Sequence, residues 1–392
     1  MKLLYKNAPQ KNLTPIKKVL IHTYSVGYLY TQLAVIKNLF GDCQIDVILS
    51  SFSDSTTTSV LEMAQDIDFL NNVWVISEQY IKELEMMQYQ SENLFLNKIK
   101  GILHGNLMSE DYDAIVYVHD VINSLIGILK ACYPKAQLIT VGDGSGAFND
   151  KEIWKQHYKA KINKNNIFEF VIPDIAINIL PVQVYKKDFF EKTQLKILPK
   201  EDYLESFKLA PNIYKQKNDY LNKLLSQYSD KVKCFLISEN YAQAKMLSYE
   251  DEMTLSSEFI KQYCPKNSVV FIKPHPLENI FKIEEYKTIL GDNWEIVELD
   301  KTFATYPVEM LSDLIKSCDV IISSGAARLT LKYLYNRDVI CPFCKDEALY
   351  LKYFKEDKYH AMRFIIDYTD KPLKALGNWD MKSLLYSNIR ED

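Results

Sequence analysis

Ser268-Val269-Val270-Phe271-Ile272-Lys273-Pro274-His275-Pro276 is an apolar run that stops at a histidine held between two prolines. The β-branched and aromatic residues from Val269 to Ile272 predict a buried strand. Proline cannot continue a hydrogen-bonded ladder, so the chain must leave the sheet at Pro274. Proline also fixes its own φ and pushes the preceding residue towards extended geometry, which holds His275 stiffly. In open α/β sheets ligands bind beyond the carboxyl ends of the strands, and His275 is expected at such an end. Its imidazole is the side chain that titrates nearest neutrality. Taken alone, the segment fits both a ligand-facing histidine and a rigid solvated loop.

The pattern around it repeats. In the same half, Cys234–Ile237, Trp294–Val297, Val320–Ile322 and Val339–Ile340 read as strands. Met253–Tyr263, Pro307–Ser317 and Ala326–Leu334 read as helices between them. The N-terminal half has strand-like Lys18–His22, Ile45–Leu49, Val73–Ile76, Ala114–Val118 and Leu138–Val141. A helix carries Leu29, Leu33, Ile36 and Phe40, and a long helical stretch occupies residues 79–104. Val- and Ile-rich strands alternating with helices predict parallel sheets covered on both faces. A chain of 392 residues is long for one core. The expected architecture is α/β, with two Rossmann-like domains whose parallel sheets face each other across a cleft. The N-terminal domain is placed at 1–195, a linker with a helix at 196–230, and the C-terminal domain at 231–365. Residues 366–392 are expected to pack back on the N-terminal domain.

Composition narrows the functions. A net charge of −4 argues against a general nucleic-acid binder. No apolar run approaches the roughly 18 residues of a spanning helix, and the first residues lack the apolar stretch of a signal peptide. The seven cysteines are scattered, and Cys341-Pro342-Phe343-Cys344 has no second pair nearby. Reduced thiols in a cytoplasmic protein, with no structural zinc, are therefore expected.

Candidate chemistry falls at strand ends. Leu138–Val141 runs into Gly142-Asp143-Gly144-Ser145-Gly146, where the glycines let the backbone turn sharply beside one carboxylate. The spacing is not the Gly-x-Gly-x-x-Gly of a dinucleotide site, and a tight turn with a locally bonded Asp is the competing reading. Ser323-Ser324-Gly325 follows a strand and opens a helix, a setting suited to phosphate as well as to ordinary capping. Glu309 stands where a predicted helix begins, placed to accept sugar hydroxyls or simply favoured there by the helix dipole. Arg328, one turn inside the next helix, reads as a surface charge. Asp111-Tyr112-Asp113 precedes its strand, so it reads as a turn at the wrong sheet edge for a metal-binding Asp-x-Asp.

Three of these motifs, Gly142-Asp143-Gly144, Lys273-Pro274-His275-Pro276 and Ser323-Ser324, resemble in order and placement those of bacterial sialyltransferases of the two-Rossmann, GT-B type. The similarity is greatest to the capsule polysialyltransferase family. It covers about residues 140–330, and Gly142 departs from it, standing where the family usually has a second acid.

The resemblance implies an inverting, metal-independent glycosyltransferase with no cofactor. It moves sialic acid from CMP-sialic acid to a glycan hydroxyl of an oligosaccharide, polysaccharide or lipooligosaccharide. Asp143 is the implied general base and His275 the acid at the departing phosphate. Lys273, Pro274, Ser323, Ser324 and Gly325 lie on the implied phosphate side, and Glu309 on the ribose. Asp251 and Glu252 are the alternative base, otherwise a solvated helix start. Gly27, Tyr28, His119, Gly144 and Ser145 are acceptor-side candidates, with His22 beside them. The basic stretch Lys151–Lys164 suits an anionic acceptor. Peripheral association with the inner membrane follows from lipid-linked acceptors, since no anchor is visible. The competing readings are a GT-B enzyme using CMP-Kdo or a UDP-hexose, and a non-catalytic glycan-binding relative.

Overall fold

The computed structural model describes residues 2–6, 17–51, 53–77, 97, 99–101, 111–118, 124–142, 173–180, 193–276, 282–325, 327–345 and 347–354. It divides at Pro211/Asn212 into two units. The first contains strands β1 (Lys2–Lys6), β2 (Lys17–Thr23), β3 (Cys43–Ser51), β4 (Leu70–Ser77), β5 (Ala114–Val118), β6 (Gln137–Gly142), β7 (Ile175–Asn178) and β8 (Gln194–Ile197). Its helices include α1 (Val26–Phe40), α2 (Asp54–Asp66), α3 (Ser124–Cys132) and α4 (Lys200–Ser206). The strand order is β1-β4-β3-β2-β5-β6-β7-β8, parallel throughout except for β1. From β4 to β7 this is the doubly wound order, with the chain reversing direction across the sheet between β2 and β5. Strand alternation sends Leu20, Ile48, Ile115 and Tyr117 to one face, where they pack on Ile126 and Leu129 of α3.

The second unit opens on α5 (Pro211–Gln227) and has a smaller sheet of β9 (Lys233–Ile237), β10 (Val269–Lys273), β11 (Glu295–Glu298) and β12 (Val320–Ile322). All pairs are parallel, in the order β11-β10-β9-β12, and Ile340 adds a single parallel bridge to Ile322. The helices are α6 (Tyr249–Tyr263), α7 (Ile283–Leu290), α8 (Ser312–Ser317) and α9 (Ala327–Tyr335), then the short α10 (Pro342–Lys345) and α11 (Glu347–Tyr353). One face of the sheet puts Leu236, Val270 and Ile272 against Met253, Phe259 and Ile260 of α6. The other puts Phe235, Val269, Phe271 and Ile321 against Leu221 of α5, Leu314 of α8 and Leu331 of α9. Both faces are dry, which is why these strands read as continuous apolar runs.

The two units share a device at the amino edge of each sheet. Asp113, just before β5, accepts the Lys18 N–H at 2.8 Å and returns its own N–H to the Lys18 carbonyl. Asp319, just before β12, does the same with Lys233, at 3.0 and 2.7 Å. The Asp113 half of the Asp-x-Asp is thus a clamp on the central strand, and Tyr112 points inward to donate to Asp46 at 2.6 Å. The predicted helix Pro307–Ser317 is broken: a 3-10 turn at Val308–Met310 is separated from α8 by Leu311 at φ −87°, ψ 47°. The segment expected as a linker holds the end of β8, α4 and all of α5. Residues 366–392 lie outside the described residues. Among the described residues no helix is long and apolar enough to cross a membrane.

Candidate functional site

The carboxyl edge of the second sheet gathers most of the described candidates. Register sets their placement. Lys273 of β10 stands opposite Ile237 of β9, and the Ser238 N–H continues that pairing onto the Lys273 carbonyl at 3.0 Å. On the other side of β9, Leu236 pairs with Ile322, so Ser323 follows level with Ile237. At a strand spacing of about 4.8 Å, the exits of β10 and β12 lie roughly 10 Å apart, with the exit of β9 between them. In this strand order the chain winds away in opposite directions from β9 and β12, which leaves a crevice at that point of the edge.

His275 is half-buried at the exit of β10. Burial, with the ammonium groups of Lys273 and Lys282, pushes its imidazole down to about 4, so it is neutral near pH 7. Lys273 is buried, and its Nζ donates to the carbonyls of Ala304 at 3.1 Å and Pro274 at 3.4 Å. Its side chain, not only its backbone, therefore brings positive charge to this edge. Lys282 forms a buried ion pair with Glu252. The other Glu252 oxygen accepts the Ala242 N–H at 2.5 Å. This corrects the solvated reading for Glu252, while Glu250 and Asp251 are exposed at the helix start. Glu252 ties the loop after β9 to the residue that opens α7, and is spent on that task. Asp251 is exposed in the first turn of α6, where its N–H is capped by Ser248.

Ser323 and Ser324 are almost wholly buried, and they face different partners. The Ser324 hydroxyl shares a hydrogen bond with Tyr241. Tyr241 is itself buried, and that burial, with the charge of Glu239, raises its pKa well above the usual phenol value. The Ser323 hydroxyl donates to Glu239 Oε1 at 3.3 Å and accepts the Gly325 N–H at 3.2 Å. Glu309 lies in the 3-10 turn with its side chain buried. Its Oε1 accepts from Thr330 of α9, and its carbonyl accepts from Tyr335 of the same helix. Arg328 is buried as well, not a surface charge.

In the first unit, Gly27 and Tyr28 occupy the first turn of α1, directly past β2 and capped by Ser25. His22 is fully buried against Ser50 at 2.8 Å, so it does not line a ligand site. Strand β6 ends at Gly142 and β5 at Val118. Asp143, Gly144, Ser145, His119 and the basic stretch 151–164 lie outside the described residues. Among the described residues no cluster of three or more His, Cys, Asp or Glu is gathered to hold a metal ion.

The sequence reading missed Glu239, Tyr241, Lys282 and Thr330. A signal existed for Glu239. The first strand of a doubly wound half is central, so the residues leaving β9 had to flank the crevice.

No protein-family model matches the chain, and no curated protein matches it in sequence. Its fold has solved counterparts. UDP-N-acetylglucosamine 2-epimerase from Rickettsia bellii is 15% identical over 93% of this chain and 97% of its own, with a TM-score of 0.50. The 2,6-sialyltransferase of Photobacterium sp. JT-ISH-224, solved with CMP and lactose, is 10% identical over 91% of this chain and 77% of its own, also at 0.50. At such identities the likeness is one of fold. The chain is a GT-B-like α/β protein with two Rossmann-like units.

Proposed function

We propose that the chain is an inverting glycosyltransferase that transfers sialic acid from CMP-sialic acid to a glycan hydroxyl. The observation that carries this is the edge of the second sheet. There a desolvated imidazole near two buried lysines stands at the exit of β10, and a serine-glycine helix entrance stands at the exit of β12, with the exit of β9 between them. That is a recess with a hydroxyl, a helix entrance and a buried ammonium, the groups a phosphate bonds to. The fold shared with a sialyltransferase solved with CMP and lactose supports the same reading.

In this mechanism the acceptor hydroxyl attacks the anomeric carbon as its bond to the phosphate oxygen breaks. Asp143 takes the hydroxyl proton. Attack from the face opposite the leaving group inverts the centre. His275, neutral beforehand, donates its N–H to the departing phosphate. The incoming negative charge offsets the repulsion from Lys273 and Lys282, so the imidazole holds a proton more readily in the donor complex than alone. Lysine charge and the helix end meet the phosphate, so the reaction needs no metal. Glu309, oriented by Thr330, accepts the ribose hydroxyls. The acceptor, including an anionic glycan, is met from Gly27 and Tyr28. A cytoplasmic enzyme that meets lipid-linked acceptors peripherally at the inner membrane belongs to the same proposal.

The test is release of CMP from CMP-sialic acid, with and without EDTA, together with thermal shift by CMP and UDP. Release unaffected by EDTA is expected. His275→Ala and Asp143→Ala should each nearly abolish transfer while CMP still stabilises the Asp143 variant. Absence of both release and CMP stabilisation would sink the proposal. A second reading, a UDP-linked sugar as substrate, is favoured by the fold shared with the UDP-N-acetylglucosamine 2-epimerase. A shift by UDP and not CMP would select it.

A further inference from the structure

The Ser323-Ser324-Gly325 turn already holds a negative charge. Ser323 donates its hydroxyl proton to Glu239 Oε1 at 3.3 Å. A Cβ at position 325 would lie 2.7 Å from Oε1 and 3.2 Å from Oε2. Both carboxylate oxygens therefore rest against the bare backbone of Gly325, and a Cβ there would push the carboxylate aside. Glu239 and Gly325 are half-buried, whereas Ser324 turns the other way, to the buried Tyr241. Ser323 and Gly325 thus turn to Glu239, and Ser324 is anchored in the core through Tyr241.

We propose that Glu239 occupies the phosphate seat of the unliganded protein, and that a phosphate-bearing ligand binds by exchanging places with its carboxylate. The proposal rests on the reading of Ser323-Ser324-Gly325 as that seat. A carboxylate offers what a phosphate offers, anionic oxygens that accept from a hydroxyl and sit at a helix entrance. The two cannot share the seat, because like charges at contact distance repel strongly in a half-buried site. The exchange has a functional consequence. Glu239 keeps a spent nucleotide weakly held, because its carboxylate competes for the Ser323 proton and returns when the nucleotide leaves.

The experiment titrates inorganic phosphate, CMP and cytidine into the full-length wild-type chain and into Glu239→Gln. The expected result is about tenfold tighter binding of phosphate and of CMP by the variant, with cytidine affinity unchanged. Glu239→Ala, which adds no new donor, should gain in the same direction. The proposal is overturned if both variants bind phosphate equally or more weakly than wild type. It is equally overturned if cytidine affinity rises as much as CMP affinity, which would report general loosening, or if no protein binds phosphate at all. Should wild type bind phosphate but not CMP, the CMP reading of the function fails, while the phosphate titration still decides the role of Glu239.

Discussion

Replacing His275 by glutamine should change how stability depends on pH, by an amount set by the surroundings of the imidazole. Burial and the charges of Lys273 and Lys282 lower its pKa from near 6.5 to about 4 in the folded protein. The unfolded chain takes up the proton near 6.5. Between these values the unfolded state binds more protons than the folded one, so stability falls as pH drops through the window. Above it the imidazole is neutral in both states and contributes no pH dependence. A difference of about 2.5 units corresponds to roughly 3 kcal/mol once pH reaches the lower value. Glutamine keeps polar bulk but does not titrate. Urea denaturation of both proteins near pH 7 and near pH 4.5 should therefore show wild type losing roughly 2–3 kcal/mol more than the variant. The comparison matters because the pH dependence of every group other than His275 cancels in it. With CMP bound the window should narrow, since a phosphate offsets the lysine charges. A wild-type-minus-variant difference that stays constant between the two pH values would refute the reasoning. It would mean that His275 titrates as a solvated histidine.

Glu252→Ala should lower stability by about 3–5 kcal/mol, because it strands the buried Lys282 ammonium and the Ala242 amide. Glu252→Leu combined with Lys282→Met should cost clearly less, a contrast read by denaturant unfolding. Thr330→Val removes the hydroxyl donated to Glu309. It should weaken CMP and cytidine about tenfold and leave inorganic phosphate unaffected, by calorimetric titration. Asp319→Ala opens the clamp on Lys233 and should cost about 1 kcal/mol without changing nucleotide affinity.

Much of the fold was legible because both faces of each sheet are buried. Ala114–Val118 and Val269–Ile272 have no solvated positions to interrupt their apolar character. The strands that escaped notice are short or peripheral. β1 is five residues with lysine at both ends, paired antiparallel at the sheet edge, and β7 and β8 are four residues each. Periodicity also joined what the backbone separates: Leu311 leaves helical geometry between Met310 and Ser312 although the apolar spacing runs on. At the site, His275 and the serines were readable because proline and glycine punctuate strand ends. Glu239 was not, since Ser238-Glu239-Asn240 is an unremarkable polar exit until strand order places it between β10 and β12. The burial of Arg328 and Glu252 is not legible in sequence, because burial of an ion depends on partners distant along the chain.

Helix α9 has a consequence for how nucleotide preference can change. Its entrance adjoins the Ser323-Ser324-Gly325 turn, while Thr330 and Tyr335 further along hold Glu309 by side chain and carbonyl. With a rise of about 1.5 Å per residue, Ala327 and Thr330 are separated by roughly 4–5 Å of nearly rigid helix. If the turn seats the phosphate and Glu309 the ribose, as proposed above, the helix acts as a gauge that sets the spacing between the two. Inserting one residue before Thr330 would swing that side chain by about 100° and disengage Glu309 while leaving the turn intact. Descendants of this chain that accept a longer diphosphate bridge should therefore differ in the register of α9 more than in the loops around it.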